Sequence, residues 1–157
     1  MATTVRSPIC CAAASSAQRS RANRAAEQSG LWVPVAVAVA YGLSNLVKIL
    51  VEEPRPCIRY PAVPTVSTCD FATDYSFPSN HVTIAVSAAI ALCLVGRRIG
   101  VGALVVAALI AFSRVYLGAH YVHDVVAGAV LGAVVALAGL LLRTPLTALV
   151  VRMRSGR

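Results

Sequence analysis

The chain reads as an all-α, integral-membrane helical bundle of about four transmembrane helices. Three observations carry that reading. Apolar residues make up 58% of the sequence and charged residues 13%, against roughly 25% charged in a soluble domain. Four long apolar stretches follow one another with almost no polar face left for water. The basic residues flank these stretches instead of running through them. The net charge of +8 is therefore a matter of membrane topology. No nucleic-acid partner is expected, because no basic and aromatic residues interleave.

The apolar stretches run from about Leu31 to Val51, His81 to Val95, Ile99 to Tyr116 and Val122 to Leu142. A helix needs about 20 residues to cross the hydrocarbon core of a bilayer. The first and fourth stretches qualify outright, and the second and third do so if their polar ends stand in the interface. Residues 1–30, rich in Ala, Ser and Arg, have no hydrophobic stretch of the kind a cleaved secretory signal needs. They read as a basic, unstructured cytosolic tail, with an organellar transit peptide as the alternative. Residues 31–142 form the transmembrane domain, and 143–157 a second basic cytosolic tail.

Glu52 to Phe77 is the one long polar connection. Its prolines (Pro54, Pro56, Pro61 and Pro64, with Pro78 just beyond) argue against a regular helix there. Gly96-Arg97-Arg98 joins the second and third helices, and Leu117-Gly118-Ala119 the third and fourth. Gly128, Gly132 and Ala136 form a small-residue stripe on the fourth helix. It suits close packing within the bundle or, alternatively, a homodimer through Gly128 and Gly132.

An up-down-up-down path puts Arg6, Arg19, Arg21, Arg24, Arg97, Arg98, Arg143, Arg152, Arg154 and Arg157 on one side of the membrane. Only Lys48, Arg55, Arg59 and Arg114 fall on the other. The excess of positive charge marks the cytoplasmic side, so the face carrying Lys48, Arg55 and Arg114 is expected to lie outside the cytoplasm.

Four helix ends meet on that face. They bring Lys48 and Arg55-Pro56, then Phe77-Pro78-Ser79-Asn80-His81, then Ser113-Arg114, His120 and Asp124. Ionisable groups at a membrane boundary are costly and mark function. Two guanidiniums and an ammonium suit a phosphate. Ser79 and the amides at a helix start add neutral donors, and Pro78 fits a helix beginning. His120 and Asp124 are four residues apart, hence neighbours on a helix. The carboxylate can hold one imidazole nitrogen and leave the other nucleophilic, while His81 can protonate a leaving oxygen. A helix N-terminus disfavours a charged His81, which a bound phosphate or Asp74 would offset. His120, His123 and Asp124 could in principle ligate a metal, but their spacing is not a zinc pattern. No metal or other cofactor is expected, and His123 reads as a structural or supporting residue.

Lys48-x6-Arg55-Pro56, Pro78-Ser79-Asn80-His81 and Ser113-Arg114-x5-His120-x3-Asp124 resemble the three signature motifs of the type 2 phosphatidic acid phosphatases. That superfamily also holds vanadium haloperoxidases. Asn80 is the single departure, standing where the family usually has glycine. The resemblance implies a phosphatase acting on a lipid phosphomonoester or diphosphate, best matched by a polyprenyl diphosphate in a bacterial plasma membrane. His120 would be the nucleophile that becomes phosphohistidine, Asp124 its orienting partner, and His81 the general acid. Lys48, Arg55, Ser79, Asn80 and Arg114 would bind the phosphoryl oxygens, and no metal would take part. Membrane members usually have six helices with the motifs on the last four, so the family's first two are expected to be missing here. Phosphatidic acid, phosphatidylglycerol phosphate and polyprenyl-phosphoribose phosphate are alternative substrates. A haloperoxidase or a non-catalytic protein binding anionic lipid headgroups are alternative functions.

Of five cysteines, Cys10 and Cys11 fall on the tail and Cys93 within a helix. Cys57 and Cys69 share the exported connection, where an oxidising compartment permits a disulfide between them.

Overall fold

The computed structural model describes residues 32–62, 65–66 and 75–155, with side chains as far as residue 139 and at Leu141. Five helices and no strand occur among them. They are α1 (32–51), the single turn α2 (Pro56–Arg59), α3 (Asn80–Val95), α4 (Arg97–Tyr116) and α5 (Val122–Ser155). Three spans are long and apolar enough to cross a membrane: Trp32–Arg59, Arg97–Tyr116 and Val122–Gly139, with mean hydropathies of 1.7, 2.0 and 1.9. At 16 residues, α3 is shorter.

The side-chain distribution inverts that of a soluble bundle. On α1 the buried face is Ala36, Ala40, Ser44 and Lys48, while Val39, Leu43, Leu46 and Ile49 point outward. On α4, Leu104, Val105, Leu109 and Phe112 are exposed, as are Val126, Val130, Val134 and Leu141 on α5. Small residues inside and large apolar ones outside are what lipid selects, because association between membrane helices depends on close packing and not on escape from water.

Helix α3 is the hub, packed on both α4 and α5, which scarcely touch each other. Gly96 alone links α3 to α4. Its N–H donates to the Leu92 carbonyl and ends α3, and the same residue starts α4. Against α5 the approach is closer still. A Cβ on Gly128 would stand 2.8 Å from the Ser79 carbonyl oxygen, and one on Gly132 would stand 2.4 Å from that of Thr83. The small-residue stripe is thus filled by α3. Of the two uses expected of the stripe, packing within the bundle is the one that Gly128 and Gly132 make here.

Three boundaries differ from expectation. The proline-rich connection contains α2, because Pro56 sits at the first helical position, where a missing N–H costs nothing. Helix α4 begins at Arg97 and reaches 20 residues, a full span. Helix α5 continues past Leu142 and through Pro145 to Ser155, so most of the expected C-terminal tail is helical. The expected N-terminal tail lies outside the described residues.

Candidate active site

Lys48 comes from the last turn of α1 and is held in the buried interior by the carbonyls of Tyr75, in a short contact, and Ser76, at 3.5 Å. The backbone of Ser76 is fixed in turn by its N–H to the Glu53 carbonyl at 2.7 Å. Motif one and the approach to motif two are therefore laced together before any ligand is considered. Arg55, the residue before α2, sends Nη1 to the Ala119 carbonyl at 3.3 Å, next to His120.

Ser79 caps the N-terminus of α3 with extended backbone, and its side chain is not used in the cap. Its hydroxyl is fully buried and has no hydrogen-bond partner among the described residues, and the same holds for Nε of Arg114. A buried donor left unmatched costs stability, so these two groups mark a place built for an acceptor. His81 is exposed at the mouth of this site, and the charges of Arg114, His120, Arg55 and Lys48 all act on it.

The third motif is assembled by a turn. Gly118, at φ +69°, closes α4 in a left-handed conformation that suits glycine. The N–H groups of Ala119 and His120 then donate back to the Arg114 carbonyl at 3.1 and 3.3 Å. His120 lies before α5, not on it. The expected stacking on one helix is replaced by a helix cap, in which the Asp124 carboxylate reaches back to the N–H of Tyr121 at 2.9 Å and also meets His120 Nδ1 at 3.3 Å through Oδ2. Both side chains are buried, and with Nδ1 engaged, Nε2 is the nitrogen left to react. Burial holds the phenols of Tyr75 and Tyr121 above their ordinary range, with Glu52 adding to the first and Tyr60 to the second. Both are uncharged at neutral pH.

Asn80, expected among the residues around the phosphoryl oxygens, has its side chain engaged within the bundle. Its Oδ1 accepts from Ser44 and its Nδ2 donates to Asn45 at 2.8 Å, so the amide ties α3 to α1. What Asn80 can offer an anion is its backbone N–H in the first turn of α3. Ser44 and Asn45 were missed in the sequence, although two polar residues one turn before Lys48 in an apolar helix signal an inward-facing polar contact.

Glu53 was also missed. Both its oxygens lie against His123 Nε2, at 3.0 and 3.1 Å, and the same nitrogen is 3.2 Å from Asp124 Oδ1. Glu53, His123 and Asp124 have donor atoms within 4.8 Å of one another and are the group among the described residues that could gather round a cation. His120 is not part of it. Asp74 and Cys69 lie outside the described residues. Cys57 is disulfide-bonded, and Cys93 is a free thiol.

The PAP2 superfamily model matches residues 29–148, three-quarters of the chain, including every residue of the site. The chain belongs to the PAP2 superfamily. It is 34% identical over 94 residues to an undecaprenyl-diphosphatase of Bacillus subtilis, covering 59% of this chain and 47% of that protein. To an undecaprenyl-diphosphatase of Sulfolobus acidocaldarius it is 32% identical over 104 residues, 66% of this chain and 50% of the other. To a decaprenylphosphoryl-5-phosphoribose phosphatase of Mycobacterium tuberculosis it is 39% identical over 98 residues, 62% and 51% respectively. The chain thus spans about half the length of the curated relatives it matches. No solved structure matches it at a significant level.

Proposed function

We propose that this membrane protein is a polyprenyl-diphosphate phosphatase that works from the extracytoplasmic face through a phosphohistidine. The observation that carries the reading is the convergence of the buried His120–Asp124 pair with two buried donors, Ser79 Oγ and Arg114 Nε, that no group among the described residues satisfies. Phosphoryl transfer asks a protein chiefly for position and charge. Arg114, Ser79, Lys48, Arg55 and the amides of the first turn of α3 supply both.

His120 Nε2 attacks phosphorus as the bond to the leaving oxygen breaks. Nδ1 keeps its proton and gives it as a hydrogen bond to Asp124, which stabilises the charge that develops on the ring. His81, at the open mouth, protonates the leaving oxygen. It then takes a proton from the water that attacks phosphorus, releasing phosphate and restoring His120. The cations meet the charge requirement without a metal.

Beside the site runs an apolar cavity of about 370 Å³, walled by Val47 of α1, by Phe77 and Pro78, and by Ala127, Leu131 and Val134 of α5. Val47 precedes Lys48 and Pro78 precedes Ser79, so a chain lying there has its head at the cradle, as a prenyl diphosphate would. The identity to the mycobacterial protein supports a second reading, a polyprenyl-phosphoribose phosphate, which uses the same site.

Phosphate release by purified protein from polyprenyl diphosphate, polyprenyl-phosphoribose phosphate and phosphatidic acid, with EDTA present, is the test. Release from the diphosphate that His120→Ala abolishes is expected. Undiminished release by that variant would overturn the covalent step, and loss of release in EDTA would overturn the metal-free one.

A further inference from the structure

We infer that Glu53, His123 and Asp124 form a site for a divalent ion of the zinc class, and that an ion held there slows the reaction at His120. The site stands on its own geometry. Its effect on turnover rests on the phosphatase reading above.

Asp124 is fully buried, and its two oxygens face different company. Oδ2 accepts from the Tyr121 N–H and meets His120 Nδ1. Oδ1 has no hydrogen-bond partner among the described residues, although His123 Nε2 lies 3.2 Å away. That nitrogen carries at most one proton, and its hydrogen bond goes to Glu53, whose oxygens lie at 3.0 and 3.1 Å. One proton thus serves one acid and leaves a buried carboxylate oxygen unmatched, which costs stability. A divalent ion among the three groups satisfies both carboxylates at once.

The spacing suits such an ion. Zinc binds imidazole nitrogen and carboxylate oxygen at about 2.0–2.2 Å, so neighbouring ligands of a tetrahedral site stand about 3.3 Å apart. Nε2 is already near that distance, at 3.0 and 3.1 Å from Glu53 and 3.2 Å from Asp124. The three donor atoms lie within 4.8 Å of one another, and the Glu53 side chain, 27% exposed, has room to close the remaining edge. Tyr121 holds the imidazole by stacking at 5.2 Å between centroids and 8° between planes, and Phe77 flanks it at 6.0 Å. At 57% exposure, His123 leaves the ion open to water on one side, for entry and for a fourth ligand. An imidazole beside two carboxylates favours zinc over magnesium, which takes oxygen ligands.

Asp124 joins this site to the catalytic pair. An ion on Oδ1 draws charge from the carboxylate whose Oδ2 supports His120, and it adds positive charge near a ring that must itself become positive. Occupancy therefore opposes the covalent step, and the metal-free protein is the active form.

For the test, untagged protein is stripped with EDTA, dialysed and titrated with zinc chloride beside Glu53→Gln and His123→Gln. Equilibrium dialysis counts bound zinc, X-ray absorption at the zinc edge reads its ligands, and phosphate release from polyprenyl diphosphate reads its effect. The wild type should bind one zinc per chain through nitrogen and oxygen, and each variant should bind it at least about tenfold more weakly. Zinc should lower wild-type kcat by about ten- to a hundredfold, the range of one hydrogen bond to a charged group, with KM within about twofold. Each variant, compared with itself without zinc, should need at least about tenfold more zinc for the same inhibition.

Zinc bound as tightly by both variants as by the wild type, or coordinated by sulfur in place of imidazole, would overturn the site. If either variant fails to fold, the wild-type absorption spectrum decides it. Equal inhibition in all three proteins would place the zinc on the substrate diphosphate and overturn the effect on His120, as would faster turnover with zinc. Should the wild type release no phosphate from any lipid, the function fails, and zinc binding and its ligands alone decide the site.

Discussion

The backbone N–H of Ser79 donates to the carbonyl oxygen of Asp124 at 3.1 Å. The start of α3, which presents Ser79 and His81, is thereby bonded to the first turn of α5, which orients His120. One turn further along, Gly128 and Gly132 let the two backbones stay in contact, so the second and third motifs keep their spacing through main-chain atoms that no side-chain motion can loosen.

Gly132→Ala should therefore destabilise the protein by about 1–3 kcal/mol, the usual cost of overpacking. The added Cβ would stand 2.4 Å from the Thr83 carbonyl oxygen, and backbone cannot step aside as a flexible side chain would. Thermal melting in detergent, with phosphate release measured on the folded fraction, checks it. An alanine variant that melts like the wild type but changes its oligomeric state would favour the dimer reading of the stripe.

Asn80→Ala should reduce stability more than it reduces affinity for a phosphate. The amide bridges Ser44 and Asn45 of α1, and each lost hydrogen bond costs about 1 kcal/mol, more where the partner is left buried. Ser44→Ala should be milder and largely non-additive with Asn80→Ala, since the two remove the same contact. Inhibition by inorganic phosphate or vanadate, which reads the cradle, should shift less than about threefold, short of the roughly 1 kcal/mol one hydrogen bond is worth. A tenfold weaker inhibition by either anion in Asn80→Ala, with melting unchanged, would place the side chain in the cradle after all.

How much the sequence disclosed depends on the distance over which each feature is determined. The helices follow from apolar runs, and the pair His120 and Asp124 from spacing along the chain. Lys48, Arg55 and Arg114 followed from charge where charge is rare. Three features were less legible. His120 and Asp124 meet through a turn and a helix cap because Gly118 breaks the helix, and four-residue spacing alone cannot tell a cap from a continuous helix. Asn80 read as a variant phosphate ligand because its partners Ser44 and Asn45 lie 35 residues or more away on α1. Glu53 was overlooked for the same reason, its partner His123 being 70 residues off. A scarcity argument could have found it, since the whole chain has only six acids.

Both termini should face the cytoplasm, with the site on the opposite side. The three long spans and the shorter α3, its polar end in the interface, make an even number of crossings, and ten of the fourteen basic residues then fall on the side of the termini and the Arg97-Arg98 turn. A fluorescent reporter fused after Arg157 should mature, and an alkaline phosphatase inserted near Val66 should be active. The reverse pattern would put the site in the cytoplasm and remove the extracytoplasmic part of the proposed function.

Cys57 should prove to be bridged to Cys69, and breaking the bridge should cost turnover before it costs fold. Cys57 is disulfide-bonded and lies in α2, two residues after Arg55, whose guanidinium reaches the Ala119 carbonyl beside His120. Cys93 is free, and Cys10 and Cys11 precede the first crossing, so topology leaves Cys69 as the partner on the same side of the membrane. Closing a loop of about 15 residues stabilises by about 3 kcal/mol in the chain-entropy model, but the gain concerns the connection and not the bundle, whose helices pack through α3. Cys69→Ser should therefore raise KM severalfold by loosening the α2 turn and Arg55, while melting shifts by only a few degrees. Thiol alkylation of non-reduced membranes followed by peptide mass spectrometry identifies the pair directly. Recovery of Cys57 and Cys69 as one linked peptide supports the bridge, and free labelling of Cys69 excludes it.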